Sequence, residues 1–207
     1  MGWQGVGYSL HVSTVGSTPA TPSRSAPYTP AQSRIIDAAL RLFTRHGVGG
    51  TSLQMIADEL GVTKAAVYHK FRAKQDIVLA VAEVELARLE KVVDAAEAEE
   101  CSLQARELLL TRVIDLAVER RHVLNTMQAD PIMVRFLAEH EPFQRLTKRL
   151  FFVLMGKDAT LEKRVPAAMI SGAIGGAAAH PLAMRLDDDT LRYHLTHLAH
   201  RLLQFPE

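Results

Sequence analysis

The sequence has little of what defines several large classes of proteins. It contains one cysteine in 207 residues, so no disulfide can form within the chain. No uninterrupted apolar run approaches the roughly 18 residues of a membrane span. Residues 1–30 carry one charged side chain, Arg24, and lack the apolar segment of a signal peptide. These absences predict a protein of the reducing cytoplasm with no membrane partner.

Strand-like alternation, internal repeats and a glycine-rich phosphate loop are also missing from the sequence. What is present is a composition of 48% hydrophobic and 23% charged residues, enough apolar side chains to form a real core. Apolar residues recur at helical spacing from residue 30 to the end of the chain. The predicted fold class is all-α.

Cap signals divide the first part of the chain into helices. Thr29 and Gln32 have the spacing of a capping box around Pro30, and a glycine-rich segment from Gly47 ends the apolar stripe that follows. The same spacing recurs at Thr51 and Gln54, which predicts a second helix that begins there.

Further boundaries follow along the chain. Gly61 ends the second helix, Thr63 caps a short third one, and Lys74 begins a long fourth one that extends to about Glu99. Four later helix starts are predicted, and they are marked by Ser102, by Asp130 with Pro131, by Asp158, and by Asp187 to Asp189.

These boundaries predict three parts of the chain. Residues 1–29 are a flexible tail rich in Gly, Ser, Thr and Pro, residues 30–76 are a three-helix head, and residues 77–207 are a helical bundle. Residues 31–76 hold seven Lys and Arg against four Asp and Glu, a net charge of +3, whereas the chain from residue 77 onward has a net charge of −3. A basic head permits an anionic partner, although ordinary scatter of surface charge explains the balance as well.

The head has the local features of a helix-turn-helix. That motif requires a small residue where two helices cross, a glycine in the tight turn, and apolar residues that hold the pair together. Ala57, Gly61, Val62 and Val67 stand at the matching spacing. The outward face of the third helix then carries side chains suited to base edges and phosphates: Lys64, Ala65, His69 and Lys70.

An ordered series of residues from 31 to 78 resembles the DNA-binding domain of the TetR (tetracycline repressor) family. The series consists of Ala38, Ala39, Leu42, Phe43, Gly47, Thr51, Ser52, Ile56, Ala57, Gly61, Val62, Val67, Tyr68, Phe71 and Lys74. The resemblance implies a sequence-specific transcriptional regulator, a repressor that a small molecule releases from its operator. It does not extend at motif level to residues 100–207.

The resemblance also implies roles for single residues. Lys64, Ala65 and His69 correspond to positions that face the bases, and the alternative for them is plain exposed helix surface. The positions expected at phosphates are Thr51, Thr63, Tyr68, Lys70 and Lys74. Two departures stand out, because Lys70 occupies the place where the family often has a histidine and Ala73 the place where a Ser or Thr commonly caps the fourth helix.

Family resemblance further implies that the body forms a homodimer and holds a small-molecule pocket, so that two heads bind a near-palindromic duplex. Residues of the last two helices that form small-residue and leucine seams are candidates for the dimer interface: Gly172, Gly175, Gly176, Ala179, Leu191, Leu195, Leu198 and Leu202. The alternative is an intramolecular core. Candidates for the lining of a pocket for an apolar or amphipathic ligand are Met127, Phe136, Phe143, Phe151 and Met155. No cofactor is expected.

Two other classes of function compete with this interpretation. A metal-dependent enzyme is suggested by His194, His197 and His200, but these side chains fan across roughly 120° of a helix and form no compact face. Cys101 follows a run of acidic residues that disfavours a thiolate nucleophile, so the chain is predicted not to be an enzyme. The other alternative is a helical protein-interaction module that never touches DNA.

Overall fold

The computed structural model describes residues 28–128, 130–155 and 161–203. Within these ranges it contains helices and no strand, which confirms the all-α fold class. A 3-10 turn at Ala183–Arg185 joins the last two α-helices. The α-helices are α1 (Pro30–Gly50), α2 (Leu53–Leu60), α3 (Lys64–Lys70), α4 (Lys74–Glu97), α5 (Ser102–Glu119), α6 (Arg121–Gln128), α7 (Pro131–Glu139), α8 (Glu141–Met155), α9 (Leu161–Ala179) and α10 (Asp188–Leu203).

Helix α1 begins as the sequence predicts and ends later. The Thr29 hydroxyl accepts a hydrogen bond from the amide of Gln32, whose side chain accepts one from the Thr29 amide. Gly47 does not end the helix but kinks it, with φ 71° and ψ 164°. Only glycine adopts that conformation readily, and the chain resumes a helical turn up to Gly50.

The predicted capping box at the start of α2 is wrong by one residue. Ser52 is the cap, and its hydroxyl accepts a hydrogen bond from the Met55 amide at 3.2 Å. Thr51 instead ends α1, and Gln54 donates along the helix to Asp58 at 2.7 Å. Adjacent hydroxyl residues both fit the cap pattern, and the late end of α1 selects the second.

The next two helix starts agree with the sequence. Thr63 caps α3 by accepting a hydrogen bond from the Ala66 amide at 3.2 Å. Ala73 provides no side-chain cap for α4, but Asp76 one turn later accepts a hydrogen bond from the Ala73 amide at 2.9 Å. Half of a capping box therefore remains at this helix start.

Helix starts in the body agree with the predictions in two cases and differ in one. Asp130 accepts a hydrogen bond at the start of α7, and Asp187 accepts two from a threonine at the start of α10. Ser102 is the first residue of α5 rather than its cap, because Cys101 stands at the cap without a side-chain hydrogen bond. The predicted start at Asp158 lies outside the described residues.

The core of the head extends past the predicted boundary at residue 76. It is formed by buried residues of α1, α2 and α3 together with five residues of α4: Ile77, Val78, Ala80, Val81 and Ala82. The far half of α4 contributes to a different cluster with α5 and α8, and a third cluster joins α5, α9 and α10. One continuous helix therefore belongs to the head and to the body.

Head and body also meet along a second line, where α6 and α7 pack on α1 and α4. Met133 of α7 is 2% exposed and belongs to the core of the head. Beside it lies a cavity of about 10 Å³, which is the space of a single water molecule. Next to this contact, Arg120 donates to both carboxylate oxygens of Glu85 on α4.

Tyr28 fastens the chain just before α1. Its hydroxyl donates to Glu83 of α4, and its ring lies 6.3 Å from that of Phe71, measured between centroids. Burial raises the pKa of Tyr28 above its ordinary value, and the hydrogen bond to Glu83 and the charge of that carboxylate act in the same direction. The described chain therefore begins tied to α4.

Candidate nucleic-acid interface

Helices α2 and α3 form the tight helical pair that the sequence predicts. Ala57 and Val67, one on each helix, are fully buried. Gly61 lies in the left-handed region with φ 65°, and the amide after it donates to the Ala57 carbonyl at 3.0 Å. Val62 was expected to help hold the pair, but it is 41% exposed, and the buried apolar residue that follows α3 is Phe71. This arrangement is a helix-turn-helix scaffold.

The outward face of α3 presents one open depression. It is lined by Lys64, Ala65, Tyr68, His69 and Arg72. All five are exposed. Tyr68 is 49% exposed, whereas Val67 beside it is fully buried. The structure thus brings together the three predicted base-facing residues and one predicted phosphate contact.

Arg72 belongs to this surface, although sequence reasoning did not select it. It follows α3, outside the predicted recognition helix. A signal was present, because Ala65, Tyr68 or His69, and Arg72 are spaced three or four residues apart, as residues on one helical face are.

The charges on this surface are available to an anion. Within the described ranges no ion pair to a carboxylate forms at Lys64, Lys70 or Arg72. Helix α3 contains no acidic residue. The Thr63 hydroxyl, which accepts the capping hydrogen bond, still has its proton to donate. The surface is therefore positively charged and rich in donors, which suits phosphate.

Two other predicted phosphate contacts lie elsewhere, at the junction between α1 and α2. Thr51 is 2% exposed, and its hydroxyl donates to the carbonyl of Gly47 at 2.9 Å. The Lys74 ammonium donates to the carbonyls of Val48 at 2.8 Å, Thr51 at 3.0 Å and Gly49 at 3.4 Å. Both side chains are engaged within the protein.

The residues proposed for a ligand pocket do not share one location. Met127 lines the small cavity between head and body. Phe143, Phe151 and Met155 are half-buried along α8. The side chain of Phe136 lies outside the described residues.

The predicted leucine seam of α10 is divided between two environments. Leu191 and Leu195 are 3% and 8% exposed and belong to the core that α10 forms with α5 and α9. These two therefore take the alternative role of intramolecular core. Leu198 and Leu202, further along the same stripe, are 52% and 41% exposed.

Helix α9 shows a similar division. Gly172 and Gly176 are exposed, Gly175 is half-buried close to Gln128, and Ala179 is buried. Sequence reasoning missed four large exposed apolar side chains, two on α9, one in the segment after it and one on α10. These are Val165, Met169, Leu182 and Tyr193, and each is at least 58% exposed.

The histidines of α10 do not form a metal-binding group in the structure. In the described ranges no three His, Cys, Asp or Glu side chains lie close enough together to hold a metal ion. His197 stacks on Tyr193 with 6.0 Å between ring centroids, and His200 lies 3.0 Å from a carboxylate oxygen of Glu107. No described helix has both the length and the apolar character to cross a membrane.

The fold and this surface define a class of protein, an all-α helix-turn-helix protein with a helical body. Residues 35–81 match the model of the bacterial regulatory proteins of the tetR family. This match covers the head, and over that domain it confirms the predicted resemblance.

Two transcriptional regulators are similar to this chain over short segments only. The HTH-type transcriptional regulator AcrR of Shigella flexneri is 51% identical over 43 residues, which are 21% of this chain and 20% of that regulator. The HTH-type transcriptional repressor AcnR of Corynebacterium diphtheriae is 32% identical over 59 residues, 28% of this chain and 31% of that repressor. The matched segments thus cover less than a third of either relative, and both names are those of regulators rather than enzymes.

The similarity of fold extends over the body. The crystal structure of a bacterial regulatory protein in the tetR family from Rhodococcus RHA1 covers 87% of this chain and 100% of its own, with a TM-score of 0.69. Sequence identity to it is 17%, so the likeness concerns the fold. The body helices are therefore arranged as they are in that structure.

Proposed function

We propose that this protein is a dimeric, sequence-specific repressor of transcription that binds a near-palindromic operator and leaves it when a small molecule binds the body. The observation that carries the proposal is the exposed surface of the helix-turn-helix at α3 and the residues just after it. This surface is formed by Lys64, Ala65, Tyr68, His69 and Arg72. Such a surface fits the major groove, where side chains of the second helix contact base edges.

The residues of this surface divide by chemistry. Lys64 donates to guanine N7 or O6, Ala65 contacts a thymine methyl group, and His69 faces a neighbouring base. Phosphates are contacted by Thr63, Tyr68, Lys70 and Arg72, which fix the register of the protein on the duplex.

The first experiment selects duplexes from random DNA with the purified protein and measures affinity by fluorescence anisotropy. A selected sequence with two inverted half-sites about one helical turn apart is the expected result. Lys64→Ala relaxes the preference at one or two positions, whereas Lys70→Ala weakens binding to all sequences alike. Lys148→Ala, which removes an exposed lysine of the body, is the control and binds as the wild type does. A protein that retains no duplex in the selection contradicts the proposal.

The exposed faces of α9 and α10 are proposed to be the dimer interface. Two adjacent helices carry large apolar side chains that are 41% to 64% exposed: Val165, Met169, Tyr193, Leu198 and Leu202. Grouped apolar exposure of this kind marks an interaction surface. The exposed glycines of α9 permit close approach of a second backbone.

Sedimentation equilibrium tests the interface. Met169→Glu places a charge in the centre of the apolar face and is expected to give monomers, because a buried unpaired charge is costly. Thr44→Glu adds the same charge to an exposed position of α1 and leaves the dimer intact. A dimer that persists in Met169→Glu at micromolar concentration places the interface elsewhere.

Release by a ligand is proposed to act through α4. The 24 residues of this helix span about 36 Å, and its two halves belong to the cores of head and body. An apolar or amphipathic molecule that separates body helices tilts α4 and changes the spacing of the two heads, which then no longer fit both half-sites. Because a repressor must reach chromosomal DNA, we place this protein in the cytoplasm.

Linkage provides the test of release. A molecule that weakens operator binding by a given factor must itself bind more weakly, by the same factor, to the protein saturated with operator. A typical coupling of about 1–3 kcal/mol gives a factor of about 5 to 150. Candidates are screened by displacement of the protein from the selected duplex, and calorimetry with and without DNA checks reciprocity. Equal affinity in both titrations excludes a molecule as the inducer.

A further inference from the structure

The junction between α1 and α2 is held by a lysine from outside it. Lys74, the first residue of α4, donates to three carbonyl oxygens that lie 23 to 26 residues earlier in the chain. An ammonium group has three protons and no lone pair, so these three partners use its full donor capacity. The hydrogen bonds to the carbonyls of Val48, at 2.8 Å, and Thr51, at 3.0 Å, have ordinary lengths. The hydrogen bond to the carbonyl of Gly49 is longer, at 3.4 Å.

The position of the charge favours this arrangement over solvent exposure. At the start of α4 a cation is disfavoured, since the amino end of a helix carries a partial positive charge. The carbonyls that Lys74 contacts belong to the last turn of α1 and the residue after it, where backbone oxygens lack helical partners and the helix dipole is negative. The ammonium thus hydrogen-bonds carbonyl oxygens at the end of α1, where the helix dipole favours a cation.

Thr51 completes the junction from within. Its side chain is 2% exposed, and its hydroxyl donates to the carbonyl of Gly47, the residue at which α1 kinks. The Thr51 amide donates to the Val48 carbonyl at 3.3 Å. A hydroxyl that is buried and already donating has no proton to offer to a phosphate.

From this geometry we infer that Lys74 and Thr51 are positioning residues, which set the angle between α1 and the helix-turn-helix and contribute to operator affinity without touching DNA. The inference rests on the proposed DNA binding and revises the phosphate contacts that the family resemblance implies at these two positions. The phosphate contacts are then those of the α3 surface, including Lys70 and Arg72.

The dependence of affinity on salt separates the two roles. Each phosphate contact made by a cation contributes a slope of about 0.9 to the plot of log affinity against log salt concentration. Lys70→Gln is therefore expected to lower the slope by about 0.9. Lys74→Gln removes the same charge from a side chain that contacts carbonyls instead of phosphate, so it is expected to keep the slope of the wild type. A fall of about one unit for Lys74→Gln overturns the inference.

A second measurement needs no DNA. Hydrogen exchange of the backbone amides at residues 48–55, followed by mass spectrometry, is expected to accelerate in Thr51→Val and in Lys74→Met, which keep the volume and lose the donor. Thr51→Ser retains a hydroxyl and is expected to exchange like the wild type, as is Lys70→Met. Unchanged exchange in both Thr51→Val and Lys74→Met overturns the inference.

The two readouts distinguish this inference from the proposed function. If the wild type binds no duplex, the proposed function fails, and hydrogen exchange still decides whether Lys74 and Thr51 hold the junction. If the wild type binds and Lys74→Gln loses about one unit of slope, DNA binding stands and the positioning role fails.

Discussion

The turn between α2 and α3 depends on a single left-handed residue, Gly61, and the effect of replacing it follows from the structure. Its φ of 65° and ψ of 32° are strained for any residue with a β-carbon. A β-carbon built there meets no atom within 4 Å, so crowding does not contribute. The left-handed conformation costs an alanine about 1–2 kcal/mol. Reduced freedom of the unfolded chain offsets about 0.4–1 kcal/mol of this.

Gly61→Ala is therefore expected to lower the free energy of unfolding by about 1 kcal/mol. For a chain of this size that corresponds to a fall in Tm of about 2–4 °C. Gly61→Asn is expected to lose less, because asparagine tolerates the left-handed region. The matched control is Gly49→Ala on α1, where a β-carbon also meets nothing within 4 Å but φ is not positive. It is expected to stabilise the protein by about 0.4–1 kcal/mol.

Chemical denaturation followed by circular dichroism measures all three variants. Protein concentration is kept equal, since association shifts apparent stability. If the effect comes from the backbone conformation and not from crowding, Gly61→Ala lowers the free energy of unfolding and Gly49→Ala raises it. If Gly61→Ala is as stable as the wild type or more so, the left-handed turn and the helix-turn-helix geometry built on it are refuted.

Three further predictions concern contacts around the head. Ala57→Leu overfills the buried site where α2 crosses α3, which is expected to cost about 1–3 kcal/mol in chemical denaturation and to weaken operator binding in anisotropy, and unchanged affinity contradicts it. Arg120→Met leaves the carboxylate of Glu85, which is 12% exposed, without its closest cation, so we expect a loss of about 1–3 kcal/mol that Glu85→Gln largely restores in a double-mutant cycle. Folding raises the pKa of Tyr28, so the stability that this side chain contributes is fully present below its unfolded pKa near 10. That stability is lost as pH rises from there toward the higher pKa of the folded state. Between pH 9 and 11 the wild type is thus expected to lose more stability than Tyr28→Phe, and parallel pH profiles contradict this.

Local signals in the sequence predicted the helices of the head well. The capping boxes, the glycine of the turn and the apolar spacing act within a few residues, so a single sequence contains them in full. The error at Thr51 shows the limit of such signals, because Ser52 has the same cap chemistry one position later. The choice between them depends on how far α1 continues beyond its kink at Gly47.

Contacts distant in sequence could not be predicted in this way. The hydrogen bonds of Lys74 reach carbonyls more than 20 residues away, and a backbone carbonyl leaves no mark on the sequence. Periodicity places Leu191 and Leu198 in one apolar stripe, yet the first is buried in its own chain and the second is exposed. The width of an amphipathic stripe does not say which part of it faces a neighbouring helix of the same chain.

The division of α4 between two cores bears on how such a protein can be cut and recombined. The residues of α4 that complete the core of the head end at Ala82, and the match to the family model ends at residue 81. A fragment cut at residue 76 would leave out the five buried side chains of α4 that close this core, whereas one cut a single helical turn beyond Ala82 would keep them. The transferable module is therefore the head with a protruding half of α4, and a body joined to it must supply an apolar side chain in the place of Met133, which fills the rest of this core.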